Sequence, residues 1–188
     1  MQTKGRTSLI NNTNKLRVRR IIIWVAFLSC GLDIASKKIV LASLGTDPKK
    51  IVGSFLQLHL AFNSGAAFSL APSATYLFSL FSIAIAVLTI FLSKKIESRP
   101  WAYVSGLVLG GIVGNLLDRA LRAPSFLRGD VVDWIQVPHW PIFNLADSSI
   151  FIAALLACIL TFRDIHPTHP THPTHPTHGN EQPKSREK

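Results

Sequence analysis

Four apolar stretches punctuate this chain, at residues 21–44, about 74–92, 101–117 and about 148–162. Each is close to the length that lets a helix cross a bilayer, about 20 residues for a hydrocarbon core roughly 30 Å thick. No water reaches that core, so the backbone must satisfy its own hydrogen bonds, and a helix does so within one segment. The expectation is an all-α membrane protein with four transmembrane helices. Charged residues make up 16% of the 188, well under the roughly 25% of soluble domains. That composition argues against a soluble globular domain and against a disordered chain.

The formal net charge is +10, from 20 Lys and Arg against 10 Asp and Glu. The bases flank apolar blocks, which is the pattern of a membrane protein oriented by its loops rather than of a nucleic-acid binder. Lys4, Arg6, Lys15, Arg17, Arg19 and Arg20 precede the first block, Lys94, Lys95 and Arg99 sit between the second and third, and Arg163 follows the fourth. The bias puts both termini and the 93–100 loop in the cytoplasm, with 45–72 and 118–147 outside, although Lys49, Lys50, Arg119, Arg122 and Arg128 make the outer segments basic too. Leu28-Ser29-Cys30 after a basic start has the look of a cleavable leader, but three later spans and the continuation through Asp33 and Lys37 argue against it. Cys30 and Cys158 lie inside apolar blocks and read as small buried hydrophobes, without metal-type spacing.

The outer segments carry strand patterns. Residues 55–60 alternate around Gln57 and His59, and residues 130–137 are rich in β-branched and aromatic side chains, so a small β-sheet is expected on the extracytoplasmic side. Phe126, Trp134 and Trp140 suit a membrane interface. From His166 to His178 the chain repeats His-Pro-Thr, which blocks helix and sheet and reads as a dispensable solvated tail. Three regions result: a basic cytoplasmic N-terminus (1–20), a four-helix membrane domain (21–163) and a disordered tail (164–188).

Ionisable residues at span depth are costly and point to function. Asp118 closes the third span, Asp147 opens the fourth, and Asp133 lies in the outer strand between them, so all three emerge on one side. Asn115, Asp118 and Arg119 share a helical face, and Arg119 is able to pair with a carboxylate or hold a substrate carbonyl. Asn144 suits the cap of the fourth helix, with Asp147 in its first turn. Gly106, Gly110 and Gly114 open one face of the third span to a neighbouring helix. Asp33 and Lys37 are spaced for an ion pair. Asn63-Ser64-Gly65 opens a tight turn of small residues that could clamp an extended peptide. Without catalysis, the same residues would serve as caps and ion pairs. No His-Glu-x-x-His motif, Ser-His pair or phosphate loop is evident. Two facing carboxylates, one ionised to activate water and one protonated to polarise a carbonyl, point to aspartic peptide hydrolysis. A small proton-coupled transporter is the alternative, but carriers place acids near the midplane of repeated halves, and no repeat is visible.

Five motifs, spread over about residues 20–163, resemble the lipoprotein signal peptidases, the type II signal peptidases of the bacterial inner membrane. They are Asp33-x-x-x-Lys37, Asn63-x-Gly65-Ala66-Ala67-Phe68, Gly110-Gly111-x-x-Gly114-Asn115-x-x-Asp118-Arg119, Val131-Val132-Asp133 and Phe143-Asn144-x-Ala146-Asp147. The resemblance implies an aspartic endopeptidase without metal or cofactor that cuts diacylglyceryl-modified prolipoproteins before the lipid-bearing cysteine. It implies catalysis by Asp133 and Asp147, substrate binding by Asn63, Asn115, Arg119 and Asn144, and support from Asp33, Lys37, Gly65 and Asp118. It also implies contact with membrane lipids and inhibition by globomycin-type cyclic peptides, and no nucleic-acid partner. Ile34 and Trp134 stand where the family usually has Gln and Phe. The 119–133 stretch is longer than usual and the 133–147 stretch somewhat shorter, which keeps Asp118 as the reserve second carboxylate.

Overall fold

The computed structural model describes residues 3–45, 47–65 and 72–168. It contains α1 (Thr3–Ser43), β1 (Lys49–Val52), β2 (Leu56–Asn63), α2 (Pro72–Ser93), α3 (Arg99–Leu121), β3 (Val131–Gln136) and α4 (Leu145–Phe162). The helices form a bundle, and the strands a three-stranded antiparallel sheet in the order β1-β2-β3.

Three helical segments are long and apolar enough to cross a membrane: Thr75–Ser93, Arg99–Leu121 and Leu145–Phe162. Their outward faces carry exposed side chains such as Leu77, Phe81, Phe151 and Phe162, apolar surface that a bilayer would cover. α1 is not among them, because Asp33, Lys37 and Lys38 interrupt its apolar run. It also starts earlier than the hydropathy suggests. The polar stretch before residue 21 is helical from Thr3 onward, with no proline or glycine after Gly5 to stop it. Val18 on this stretch and Ile22 just beyond it are buried against Ile96 and Ala102.

α3 is the central helix and packs on α1, α2 and α4. Small residues allow this. A Cβ at Gly110 would lie 2.6 Å from the Ser29 Cβ and 2.7 Å from the Ala26 carbonyl oxygen, so α1 and α3 approach more closely than any larger residue permits. Val104 of α3 packs with Ala153 and Leu160 of α4. Ser29 donates to Ser149 at 2.7 Å and ties α1 to α4.

The two ends of the bundle differ. At one end Lys15 pairs with Glu97 at 3.4 Å. There the Glu97 and Ser98 N–H groups donate to the Pro167 carbonyl at 2.9 and 3.2 Å, and the Trp101 indole donates to the Ile165 carbonyl at 2.6 Å. The start of α1, the α2–α3 turn and the chain after α4 therefore meet. The repeat tail beyond residue 168 lies outside the described residues. At the other end stands the sheet. β2 falls where alternation predicts a strand and runs on to Asn63, and β3 falls where β-branched and aromatic side chains predict one. β1 lies outside the expected strands, because Lys49–Val52 is short and shows no apolar alternation.

Candidate active site

Strand register begins the site. Ala61 of β2 lies opposite Asp133 of β3, and Asn63 is two residues further on the same face. The Asn63 side-chain amide accordingly donates to Asp133 Oδ2 at 2.9 Å. Its own oxygen accepts from the Gly65 N–H at 2.8 Å, an Asx turn that Gly65 completes at φ +84°. Ala66, Ala67 and Phe68 of the same motif lie outside the described residues.

β3 ends before Pro138, and the chain returns so that Phe143 bridges Ile135, with N–H to O distances of 2.8 and 3.0 Å. That return delivers Asn144 and α4 to the side of Asp133. Asn144 caps α4 reciprocally. Its side-chain oxygen accepts from the Asp147 N–H at 2.9 Å, while Asp147 Oδ2 accepts from the Asn144 N–H at 3.3 Å. The Asn144 amide nitrogen donates in two further directions, to Asp133 Oδ1 at 2.6 Å and to Asn115 Oδ1 at 3.1 Å. Asn115 donates to Asp147 Oδ1 at 2.8 Å. Asp133 and Asp147 are thus joined through two asparagines, one a helix cap and one from the central helix.

The environments of the two acids differ. Asp133 is 2% exposed. Burial is the main cause that pushes its carboxyl up to about 6 from 3.8; the Asp147 charge adds to the rise, and the amides of Asn63 and Asn144 oppose it. Asp147 is half-buried and lines an apolar cleft of about 720 Å³ with Val137, Trp140, Phe143, Ile150 and Phe151.

Behind the acids lies a buried ion cluster. Lys37 Nζ donates to Asn115 Oδ1 at 3.1 Å and forms ion pairs with Asp33 Oδ2 at 2.7 Å and Asp118 Oδ2 at 2.8 Å. Asp33 Oδ1 accepts from the Ala146 N–H at 2.9 Å. Asp118 also accepts from Arg122 Nε at 2.6 Å and the Val132 N–H at 3.3 Å. Its oxygens are therefore committed to Lys37, Arg122 and the start of β3, with no hydrogen bond to Asp133 or Asp147 among the described residues. Arg122 is absent from the expected site residues, although its four-residue spacing from Asp118 is a sequence signal for the pair. Arg119 faces Gly65 and has a buried Nη1 without a hydrogen-bond partner among the described residues. Phe126 and Trp140 are exposed, whereas Trp134 is half-buried.

The bundle, with three helices of membrane length, thus holds Asp133 and Asp147 linked through Asn144 and Asn115, with Asp147 on the wall of an apolar cleft. Residues 25–163 match the family model described as signal peptidase (SPase) II. A lipoprotein signal peptidase of Streptomyces coelicolor is 40% identical over 148 residues, covering 78% of this chain and 72% of the relative. That of Rhodococcus jostii is 37% identical over 151 residues, covering 79% and 76%. That of Mycobacterium tuberculosis is 39% identical over 143 residues, covering 76% and 71%. A solved bacterial membrane enzyme superimposes with a TM-score of 0.68 at 27% identity, covering 76% of this chain and 93% of that one. The chain belongs to the signal peptidase II family of membrane proteases.

Proposed function

We propose that this protein cleaves the signal peptide from diacylglyceryl-modified prolipoproteins, immediately before the lipid-bearing cysteine, with Asp133 and Asp147 as the catalytic pair. The observation that carries this reading is the linkage of Asp133 to Asp147 through Asn144 and Asn115 beside an apolar cleft. Asp133 is the acid, since burial favours its protonated form. Asp147 is the base, in the first turn of α4, where the helix dipole favours negative charge.

Asp147 takes a proton from water, and the resulting hydroxide attacks the scissile carbonyl. Asp133 gives its proton to the carbonyl oxygen as the tetrahedral intermediate forms. Collapse returns a proton from that intermediate to Asp133 and passes the proton held by Asp147 to the leaving amine. Asn63 and Asn144 hold Asp133, and Asn115 holds Asp147. The buried, unpaired Nη1 of Arg119 is available to a substrate carbonyl. The lysine cluster of Asp33, Lys37 and Asp118 keeps these parts in register, and Gly65 leaves room beside Arg119.

In this reading α1 is the fourth membrane span, the enzyme sits in the bacterial inner membrane with both termini cytoplasmic, and the sheet and acids face outward. Residues 1–20, 21–163 and 164–188 act as basic start, peptidase domain and tail. Globomycin-type cyclic peptides would compete for the cleft. The test is incubation of the purified protein with a diacylglyceryl-modified precursor peptide. Cleavage before the modified cysteine supports the reading, and its absence, or cleavage undiminished in both Asp133→Asn and Asp147→Asn, overturns it.

A further inference from the structure

Val137 and Trp140 form a wall shared by two clefts. On one side lies the apolar cleft that contains Asp147. On the other lies a polar cleft of about 410 Å³ lined by Ser54, Gln57, Gln136 and His139. Gln57 and Gln136 are direct partners across β2 and β3, so their side chains leave the same face of the sheet. Gln136 lies three residues from Asp133 on β3, which turns this face away from that acid. A chain lying against the two acids reaches the glutamines by passing over the end of β3, where Val137 and the 59% exposed Trp140 stand.

The chemistry of the polar cleft fits a polypeptide main chain. His59 Nδ1 donates to Gln136 Oε1 at 3.2 Å, since an amide oxygen only accepts. That leaves the Gln136 amide nitrogen, and both ends of the Gln57 amide, without side-chain partners among the described residues. Two neighbouring amides with donors and an acceptor to spare match the N–H and C=O of an extended strand.

We infer that the Gln57–Gln136 cleft binds the polypeptide on the C-terminal side of the scissile bond, with Trp140 as the corner between the lipid-bearing and polypeptide parts of one substrate. This rests on the proposed peptidase reading and adds a subsite to it. The apolar signal segment and acyl chains remain on the membrane side. The polar continuation beyond the modified cysteine leads away from the membrane and meets amides rather than apolar side chains.

The test compares two diacylglyceryl-modified peptides, one ending just after the modified cysteine and one continuing for several residues, cleaved by the full-length protein and by Gln57→Ala. For the long peptide the variant should lose roughly five- to thirty-fold in kcat/KM, the equivalent of one or two hydrogen bonds, mainly through KM. The short peptide should be cleaved equally by both proteins, which also reports that the variant is folded. Equal losses on both peptides, or no loss on the long one, would overturn the subsite while leaving the peptidase reading intact. Failure of the unaltered protein to cut either peptide would remove the reading beneath it.

Discussion

Asn144 donates its side-chain amide to Asp133 at 2.6 Å, and the same side chain caps the helix that begins with Asp147. One fully buried residue therefore ties the geometry of an acid to the start of α4. Replacing it with alanine removes the cap, at about 1 kcal/mol, and leaves Asp133 Oδ1 buried without its donor, at about 1–3 kcal/mol. Asn144→Ala should lower stability by about 2–4 kcal/mol and abolish cleavage. Asn144→Asp keeps a capping oxygen but sets a second carboxylate against Asp133, so it should retain more of the helix than alanine does and still be inactive. Thermal unfolding in detergent, run beside the peptide assay, reads both effects. An alanine variant as stable as its parent would contradict this account of the cap.

Asp133→Asn and Asp147→Asn should each reduce cleavage by a factor of about 10² to 10⁴, the usual contribution of a positioned acid or base. Neither change removes bulk, so both variants should purify as folded, membrane-inserted protein. Asp118→Asn tests the reserve carboxylate. Its oxygens serve Lys37, Arg122 and the Val132 N–H, so its effect should appear first in stability. Initial rates of the three variants at equal folded concentration separate these roles, and a larger kcat loss from Asp118→Asn than from Asp147→Asn would reassign the base.

The elevated Asp133 carboxyl gives stability a pH dependence of definite sign. Folded, the group holds its proton up to about 6; unfolded, it releases it near 3.8. Between those values the folded protein binds more protons, so this residue's contribution to stability declines as pH rises through the window and is level above it. The full effect is bounded by about 3 kcal/mol. Asp133→Asn should flatten that decline, visible as a smaller difference in unfolding midpoint between about pH 4 and about pH 7. In the intact enzyme, kcat/KM should fall as pH rises above about 6, as the acid loses its proton. Identical pH dependence of stability in parent and variant would rule out Asp133 as its source.

Much of this site was legible because its signals are local. The Asn144–Asp147 cap, the Asp33–Lys37 pair and the glycine face of α3 follow from helical spacing, β2 from alternation and β3 from its β-branched and aromatic side chains. The early start of α1 was hidden because hydropathy marks where a bilayer begins, whereas nothing between Arg6 and Cys30, neither proline nor glycine, interrupts the helix. β1 was hidden because it pairs along one edge only and is exposed at every position. The pairing of Asp118 with Lys37 was hidden because a contact between α1 and α3 leaves no trace in local spacing, whereas its pairing with Arg122 has the four-residue spacing of a helical pair. The joining of Asn115 to both Asn144 and Asp147 depends on the same helix packing.

Lys37 offers the last prediction. It is 1% exposed and bonded to Asp33, Asp118 and Asn115. Removing the cation in Lys37→Met leaves Asp33 buried beside Gly114, where a Cβ on the glycine would come within 2.6 Å of Asp33 Oδ2, so there is little space for water to enter in its place. An uncompensated buried charge typically costs about 3–5 kcal/mol. The variant should unfold at a markedly lower temperature and lose activity through Asn115, whose oxygen is no longer fixed by the ammonium. Neutralising the orphan as well, in Lys37→Met with Asp33→Asn, should recover a large part of that loss. Asp118 still has Arg122 at 2.6 Å, and the amide oxygen introduced at position 33 can still accept from the Ala146 N–H. If the double variant is no more stable than the single one, the charge balance assigned to this cluster is wrong, and the lysine acts there through packing alone.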